Sequence, residues 1–459
     1  MLSAGLANVQ PTKTRKTRAV AILTQELPQV IVGVDTHADT HHVAVVTEYG
    51  KPIADQKFAA TAAGYTQLLN FITGHGTVSA VGVEGTGSYG AELSRVLTKE
   101  KLRVFEVNRP NRQQRRIRGK SDPLDAYQAA RSVLAERGIS TPKTKDGPVE
   151  CLRILRTART SAMKARTIAV NQIRSLLVSA PETIRAKYRG LPTTAMITAL
   201  ARSRPLGHPA DTGYITALTL KTLALRYQSL RSEIAATDEL LQEILDSYAP
   251  LLTELTGVGV EVATQLLVTV GDNPERINNE AQFAALTGTA PVPASSGKTH
   301  RHRLSKGGDR QANSALHHVV LSRMQSDHQT QEYVAKRMAD GKSKRETMRC
   351  LKRYVAREIY RQIFNPIAAP DITDLRPLRR KLGITLQQAG EQLNQWPSNH
   401  SRIERGIARN DHVAHTYRQW LTQQHLSTTG DKSHGLPTAT TTEGATPPAP
   451  KKSALDNPN

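Results

Sequence analysis

The chain has 459 residues, too many for one ordinary domain, so two or three are expected. Its formal net charge of +22 and isoelectric point near 10.1 point to a polyanionic partner, and with no long apolar run or signal-peptide core that partner is nucleic acid rather than a membrane. Two cysteines without CxxC spacing, Cys151 and Cys350, argue against a disulfide framework or a cysteine-based zinc site and suit the cytoplasm.

Residues 1–28 are basic and aperiodic (KTRKTR) and are expected to form a disordered arm. From residue 29 the pattern alternates. "QVIVGVDTH", "HHVAVVTEYG" and "KPIADQKFAA" read as three strands. "TAAGYTQLLNFITGH" has helical spacing, "VSAVGVEGTG" is a short buried strand, "AELSRVLTKE" a helix and "LRVFEVN" a strand. Three strands followed by helix, strand, helix, strand is the order of an RNase H-like α/β fold, expected over 29–147. Residues 148–250 turn helical. Leu220, Leu223, Tyr227, Leu230, Ile234, Thr237, Leu241, Ile244 and Tyr248 recur in steps of three and four, a heptad seam that suits a helical hairpin or an intermolecular coiled coil. Residues 251–366 read as a further, mostly helical unit. Its "LTGVGVEVATQLLVTVG" resembles a helix-hairpin-helix turn in which Gly257 and Gly259 would offer backbone N–H groups to a phosphate. Residues 427–459, rich in Thr, Pro, Ser and Gly, are expected to be disordered.

Four acids stand out. Asp35 ends the first strand ("VGVD") and Glu84 the fourth ("VGVE"). Asp122 and Asp125 open a helix, where i,i+3 spacing puts both carboxylates on one face. Strand ends of an α/β sheet share a crevice, and hard oxygen donors gathered there are what a two-Mg²⁺ phosphodiester site needs, with Mn²⁺ as the substitute. Taken singly, each acid also suits a cap or a turn, and Asp122 suits the cap of a helix beginning at Pro123. The preceding "NRPNRQQRRIRGK" supplies Arg112, Arg115, Arg116, Arg118 and Lys120, cations that would steer phosphates. His37, His41 and His42 lack a fourth ligand at zinc-site spacing, and His41 and His42 read as strand residues on opposite faces. Further on, "PVPASSGKTHRHRLSKGGDRQ" places Ser295, Ser296 and Ser305 among Lys298, Arg301, Arg303, Lys306 and Arg310. A hydroxyl in so cationic a loop would be able to attack a phosphodiester, and it would equally serve as a plain phosphate contact.

"VGVDTHADTHHVAVV", "VGVEGTGSYG", "VNRPNRQQRRIRGKSDPLDAYQAA" and "LTGVGVEVATQLLVTVG…FAALTGTAPVPASSGKTHRHRLSKGGDRQANSALHHVV" resemble the DEDD transposases of bacterial insertion sequences, over roughly residues 29–365. The resemblance implies a RuvC-like domain joined by a coiled coil to a mostly helical transposase domain. It implies that Asp35, Glu84, Asp122 and Asp125 bind metal, and that a serine becomes covalently joined to DNA in a composite site built from two protomers. Ser296, followed by Gly297, matches that serine, with Ser295 as the alternative register. It further implies a structured bridge RNA as guide, double-stranded DNA of element ends and target as substrate, and a homo-oligomer, dimer or tetramer, on a prokaryotic nucleoid.

Residues 372–422 depart from that family pattern. They resemble a Cro/repressor-type helix-turn-helix, with Thr385 capping the second helix and Leu386, Ala389 and Leu393 facing inward. "PSNHSRIERG" would be the third helix, ended by Gly406, and "DHVAHTYRQWL" a fourth. Ser398, Asn399 and Arg402 would then stand near base edges, and Gln387 and Gln388 near phosphates. Gly390 and His400 are unusual residues for their places in that motif. A helical subdomain used only for packing is the plainer reading of the same residues. Three other readings of the whole chain remain open: a RuvC-like junction nuclease attacking with water, an actin-like-fold small-molecule kinase with "EGTGSYG" at the phosphates, and a non-catalytic DNA-binding regulator. The kinase reading lacks GxxxxGK[ST] and sits poorly with the charge.

Overall fold

The structure, a computed structural model, describes residues 27–108, 121–297, 302–368, 371–406 and 410–430. Most of the basic arm and of the C-terminal tail lies outside the described residues, as do Arg112, Arg115, Arg116, Arg118, Lys120, Lys298 and Arg301. The chain divides into two units. The first runs to Cys151 and takes in Val270–Asn278; the second holds Leu152–Thr269 and the residues from Asn279 onward.

The first unit is built on a six-stranded sheet of order β3-β2-β1-β4-β5-β6. Its strands are β1 (Gln29–Thr36), β2 (Thr40–Thr47), β3 (Pro52–Ala59), β4 (Thr77–Glu84), β5 (Val104–Val107) and β6 (Ile139–Ser140). β1 pairs antiparallel with β2 and parallel with β4, while β5 runs parallel to β4. The first five strands come in the order the sequence suggests. β6, two residues antiparallel to β5, is additional.

Strand alternation sorts the side chains into two cores. Val30, Val32, Val34, Val43, Val45, Val81 and Val83 face helices α1 (Ala62–Gly74) and α2 (Ala91–Lys99) through Tyr65, Leu68, Ile72, Leu93 and Leu97. Ile31, Val46, Ala80 and Val107 face the opposite helix, Asp122–Leu134, through Ala129, Ala130 and Val133. That helix lies directly on backbone at two glycines. A Cβ at Gly33 would stand 2.1 Å from the Ala126 carbonyl oxygen, and one at Gly82 would stand 2.6 Å from a methyl of Val133. Gly33 and Gly82 are partners in the β1–β4 register, within the repeated tetrads Val32-Gly33-Val34-Asp35 and Val81-Gly82-Val83-Glu84.

Val270–Asn278 returns to this first unit, although the sequence suggested one continuous unit over 251–366. Asp272 accepts from the backbone N–H of Val149 (2.7 Å) and Glu150 (3.1 Å), the first-turn amides of helix Pro148–Ser179, and Asn273 Nδ2 donates to the Pro142 carbonyl.

In the second unit, helix Pro148–Ser179 and helix Thr212–Tyr248 pair within the chain. Ile173 packs with Leu220 and Ala224 beside Met196, Ile197 and Leu200 of helix Thr193–Arg202. At the other end of the pair, Arg159 bonds Asp238 and Glu261. The heptad residues Leu220, Ile234, Thr237 and Leu241 are buried, as expected, but Leu245 takes the place expected of Ile244 and Tyr248. No described helix is long and apolar enough to cross a membrane.

The C-terminal helices of this unit are Leu375–Lys381, Leu386–Gln392, Pro397–Glu404 and Asp411–Gly430. Thr385 closes a capping box with Gln388. Leu375, Ala389, Ile403, Val413, Ala414, Tyr417 and Leu421 form their core, with Leu393 partly buried against it. At its centre Glu404 accepts two bonds from Arg379 (2.6 and 3.0 Å) and one from the Tyr417 hydroxyl (2.8 Å). Burial opposes the charge on Glu404, but these bonds outweigh it and hold the carboxyl below its ordinary range. The two unusual residues have structural reasons. A Cβ at Gly390 would meet the Gln395 carbonyl oxygen at 2.5 Å, and His400 fills an apolar position against the Tyr417 ring, where burial favours its neutral form.

Gly33→Ala is expected to lift helix Asp122–Leu134 from the sheet and to cost about 2 kcal/mol or more. Amide exchange in β1 and in this helix would then quicken by roughly thirtyfold, since local opening reports that loss. Unchanged protection would show that the close approach is not a constraint.

Candidate functional site

β1 and β4 are parallel neighbours, so the ends of their matching tetrads fall side by side. Gly33 and Asp35 share one face of β1, and Gly82 and Glu84 the same face of β4, the one covered by helix Asp122–Leu134. Thr36 Oγ1 donates to the Glu84 carbonyl (2.7 Å) and laces the two strand ends together. The covering helix begins at Asp122 itself. Ser121 holds the cap position without a side-chain bond, so the Asp122 carboxylate is not the cap that one sequence reading allowed. Asp122 and Asp125 occupy the first turn, where the helix dipole favours negative charge. Asp35, Glu84 and Asp125 are 6–7% exposed, while the Asp122 side chain is 38% exposed.

The structure brings Asp35 and Asp122 together across 87 positions of sequence and adds a residue that sequence reasoning passed over. His37 Nδ1 stands 3.7 Å from Asp35 Oδ2, and its Nε2 stands 3.9 Å from Asp122 Oδ1. One ligand atom each from Asp35, His37 and Asp122 can be chosen so that all lie within 4.8 Å of one another. Glu84 and Asp125 flank this group from the neighbouring strand end and the same helical turn, outside the 4.8 Å set. The signal for His37 was its place two residues beyond Asp35, just past the end of β1. Lys57 Nζ approaches Asp122 Oδ2 at 4.0 Å, a cation already standing beside the carboxylate. Two carboxylates and an imidazole make a donor set that fits a divalent ion.

The other two histidines separate as the strand pattern requires. His41 is fully buried and lies parallel to the Tyr65 ring, where desolvation lowers its pKa. His42 points to the helix face and bonds Asp55 (2.7 Å), which also accepts from the Tyr127 hydroxyl (3.0 Å).

In the second unit, Ser295 and Ser296 are exposed, directly after β7 (Val292–Pro293), which pairs with β8 (His302–Arg303). Gly297 follows in the left-handed region at φ 54°. Arg303, Lys306 and Arg310 are exposed and Ser305 is half-buried. The loop is pinned at its base. Gly308 lies so close to the Gly288 amide and the Ala285 and Leu286 carbonyls that a Cβ would come within 2.6–2.7 Å of them. Asp309 caps helix Arg310–Ser326 through the amides of Gln311 and Ala312 and accepts from the Thr269 hydroxyl (2.7 Å). Asn313 Nδ2 donates to the carbonyls of Thr287 and Gly288. Gly257, at φ 80°, packs against the same helix with its Cβ position 3.3 Å from the Val319 carbonyl, while the Cβ position of Gly259 is open.

On the third C-terminal helix, Ser398 is exposed and Asn399 is half-buried with its amide on Gln395. Gln387 and Gln388 are also exposed. Arg402 corrects the expectation of a base-edge contact. Its Nη1 donates to the Ser326 carbonyl (2.6 Å), so the guanidinium ties this helix to the end of helix Arg310–Ser326.

Comparison with known proteins covers both units. Residues 32–180 match the DEDD family model of the IS110 type, described as "Transposase". Residues 249–335 match the model described as "Transposase IS116/IS110/IS902 family". The first span holds all four acids and the second holds Ser295 and Ser296; the four C-terminal helices lie in neither. Among curated relatives, the "Mini-circle putative transposase for IS117" of Streptomyces coelicolor is 24% identical over 326 residues, 59% of this chain and 78% of that protein. The "Insertion element IS900 uncharacterized 42 kDa protein" of Mycobacterium paratuberculosis is 22% identical over 375 residues, 71% of this chain and 93% of its own length. The "Insertion element IS110 uncharacterized 43.6 kDa protein" of Streptomyces coelicolor is 30% identical over 139 residues, 30% of this chain and 34% of that protein.

Asp309→Ala removes the cap and the Thr269 bond together and is expected to cost about 1–2 kcal/mol. Limited proteolysis between residues 289 and 308 should accelerate, and Asp309→Asn, which keeps an accepting oxygen, should restore most of the protection. Equal cleavage of all three proteins would remove Asp309 from the account.

Proposed function

The chain belongs to the IS110-type DEDD transposases, and from that premise we propose that this DNA transposase cuts and rejoins element ends and target DNA through a phosphoserine-linked intermediate formed by Ser296. The convergence of Asp35 and Asp122, with His37 between them, is the observation that carries the reading. Two carboxylates and an imidazole gathered within 4.8 Å of one another suit a divalent cation. Mg²⁺ or Mn²⁺ held there supplies Lewis-acid stabilisation to the oxygens of a phosphodiester. Glu84 and Asp125 complete the acidic tetrad from the flanking positions.

Ser296 is accessible at the mouth of a loop fixed at its base, and Arg303, Lys306 and Arg310 are exposed in the same segment. Its Oγ attacks the phosphorus, the P–O bond to one sugar oxygen breaks, and that oxygen leaves as a DNA hydroxyl. The serine proton passes to solvent. A second DNA hydroxyl then attacks the phosphoserine and regenerates Ser296. Ser295 is the alternative nucleophile. The arginines and lysines of 112–120, with Lys298 and Arg301, steer the phosphates. A structured guide RNA and a homo-oligomer on the bacterial nucleoid belong to the same proposal, supported by family resemblance.

Residues 372–422 act in this proposal as a helix-turn-helix DNA reader. The capped second helix, the third helix Pro397–Glu404 and the exposed Ser398, Gln387 and Gln388 support it, whereas Arg402 serves the fold.

Covalent capture tests the central step. Purified protein with its co-purifying RNA is incubated with labelled element-end DNA and Mg²⁺, and an adduct surviving SDS is expected. Ser296→Ala and Asp125→Ala should each abolish it. Cleavage without an adduct, lost only in Asp125→Ala, would overturn the serine step and favour a hydrolytic nuclease.

A further inference from the structure

His37 is placed by backbone rather than by packing. Its N–H donates to the Thr40 carbonyl (3.0 Å), closing the turn between β1 and β2, and its ring remains 44% exposed. The backbone at His37 is therefore held at the strand end independently of the acids. Its two nitrogens face Asp35 at 3.7 Å and Asp122 at 3.9 Å, both too long for hydrogen bonds. Donor atoms around an octahedral ion with bonds of about 2.1 Å are about 3.0 Å apart when adjacent and about 4.2 Å when opposite. Only one ring nitrogen can bind an ion, and one ligand atom from each of Asp35, His37 and Asp122 lies within 4.8 Å of the other two, close to that interval.

We propose that His37 is a nitrogen ligand of the metal site, beside Asp35 and Asp122, and that it biases the site toward Mn²⁺ over Mg²⁺. The proposal rests on the metal-site reading given above. Mg²⁺ holds its water and prefers oxygen donors, so an imidazole adds little to its binding. Transition metals gain more from the same imidazole than Mg²⁺ does, and Mn²⁺ combines that gain with a preference for carboxylate donors. One ring nitrogen would bind the ion. The other would remain available to the second carboxylate or to water, as metal-bound histidines usually arrange. Lys57, 4.0 Å from Asp122 Oδ2, would compete with an ion for that carboxylate.

The test uses full-length protein stripped of divalent ions and titrated with Mn²⁺, followed by electron paramagnetic resonance with Mg²⁺ as competitor. Wild-type protein should show ¹⁴N modulation of a directly bound nitrogen in pulsed measurements. That modulation should vanish in His37→Gln and in His37→Asn, while Mn²⁺ still binds. The preference for Mn²⁺ over Mg²⁺ should fall roughly tenfold or more in both variants, the scale on which even outer-shell partners act. Asp122→Asn should weaken both ions. Mn²⁺ binding that depends on Asp122 but carries no ¹⁴N modulation, or modulation retained in both His37 variants, would overturn the role of His37 and leave the acidic metal site standing. Absence of any Mn²⁺ binding at millimolar concentration would overturn the metal site and His37 together.

Discussion

Helix Asp122–Leu134 rests on bare backbone where β1 and β4 carry Gly33 and Gly82, and the Cβ missing at Gly33 would lie 2.1 Å from the Ala126 carbonyl oxygen. Ala126 is four residues after Asp122 and one after Asp125, so this contact sets the first turn of the helix at the strand ends. Asp35 and Glu84 lie two residues beyond the glycines on the same face. Four carboxylates from three segments are thereby held in one region by a steric condition that involves none of them. Three are almost fully buried. Keeping carboxylates charged in a buried region is costly, and a divalent cation held there would offset part of that cost.

The serine segment is treated differently. Its tip is exposed, while its base is held by Gly308, Asp309 and Asn313 through backbone contacts and a helix cap. A nucleophile that must reach DNA benefits from an accessible position on an anchored loop. Acids that must hold an ion benefit from rigid strands and helices. In the proposed mechanism each group stands on the kind of element its task requires.

Much of this was legible in the sequence because it is local. Alternating valines fix five strands and their faces, and the twin tetrads ending in Asp35 and Glu84 mark two strand ends. Thr385 announces a helix start by its place before an apolar-periodic run, and the structure adds Gln388 as its capping-box partner. What escaped depends on contacts between distant residues. Gly33 and Gly82 read as ordinary strand glycines until a helix 93 positions beyond Gly33 lies on them. His37, His41 and His42 offer no fourth ligand at zinc-site spacing, and the carboxylate that His37 meets, Asp122, is far away in sequence. Arg402 looked like a surface cation on a reading helix, yet the Ser326 carbonyl takes it. Asp272 lies far along the chain and nevertheless accepts from the first-turn amides of helix Pro148–Ser179 within the first unit. The serine assignment rests on resemblance, since one hydroxyl in a basic loop looks like any other.

The stereochemical course at phosphorus tests the central claim most directly. Element-end DNA carrying a chiral phosphorothioate at the scissile position would be processed to completion and the configuration of the joined product determined. Attack by Ser296 followed by attack of a DNA hydroxyl makes two in-line displacements, so the account predicts net retention. Net inversion would mean a single displacement at the metal site and would contradict the serine-linked intermediate.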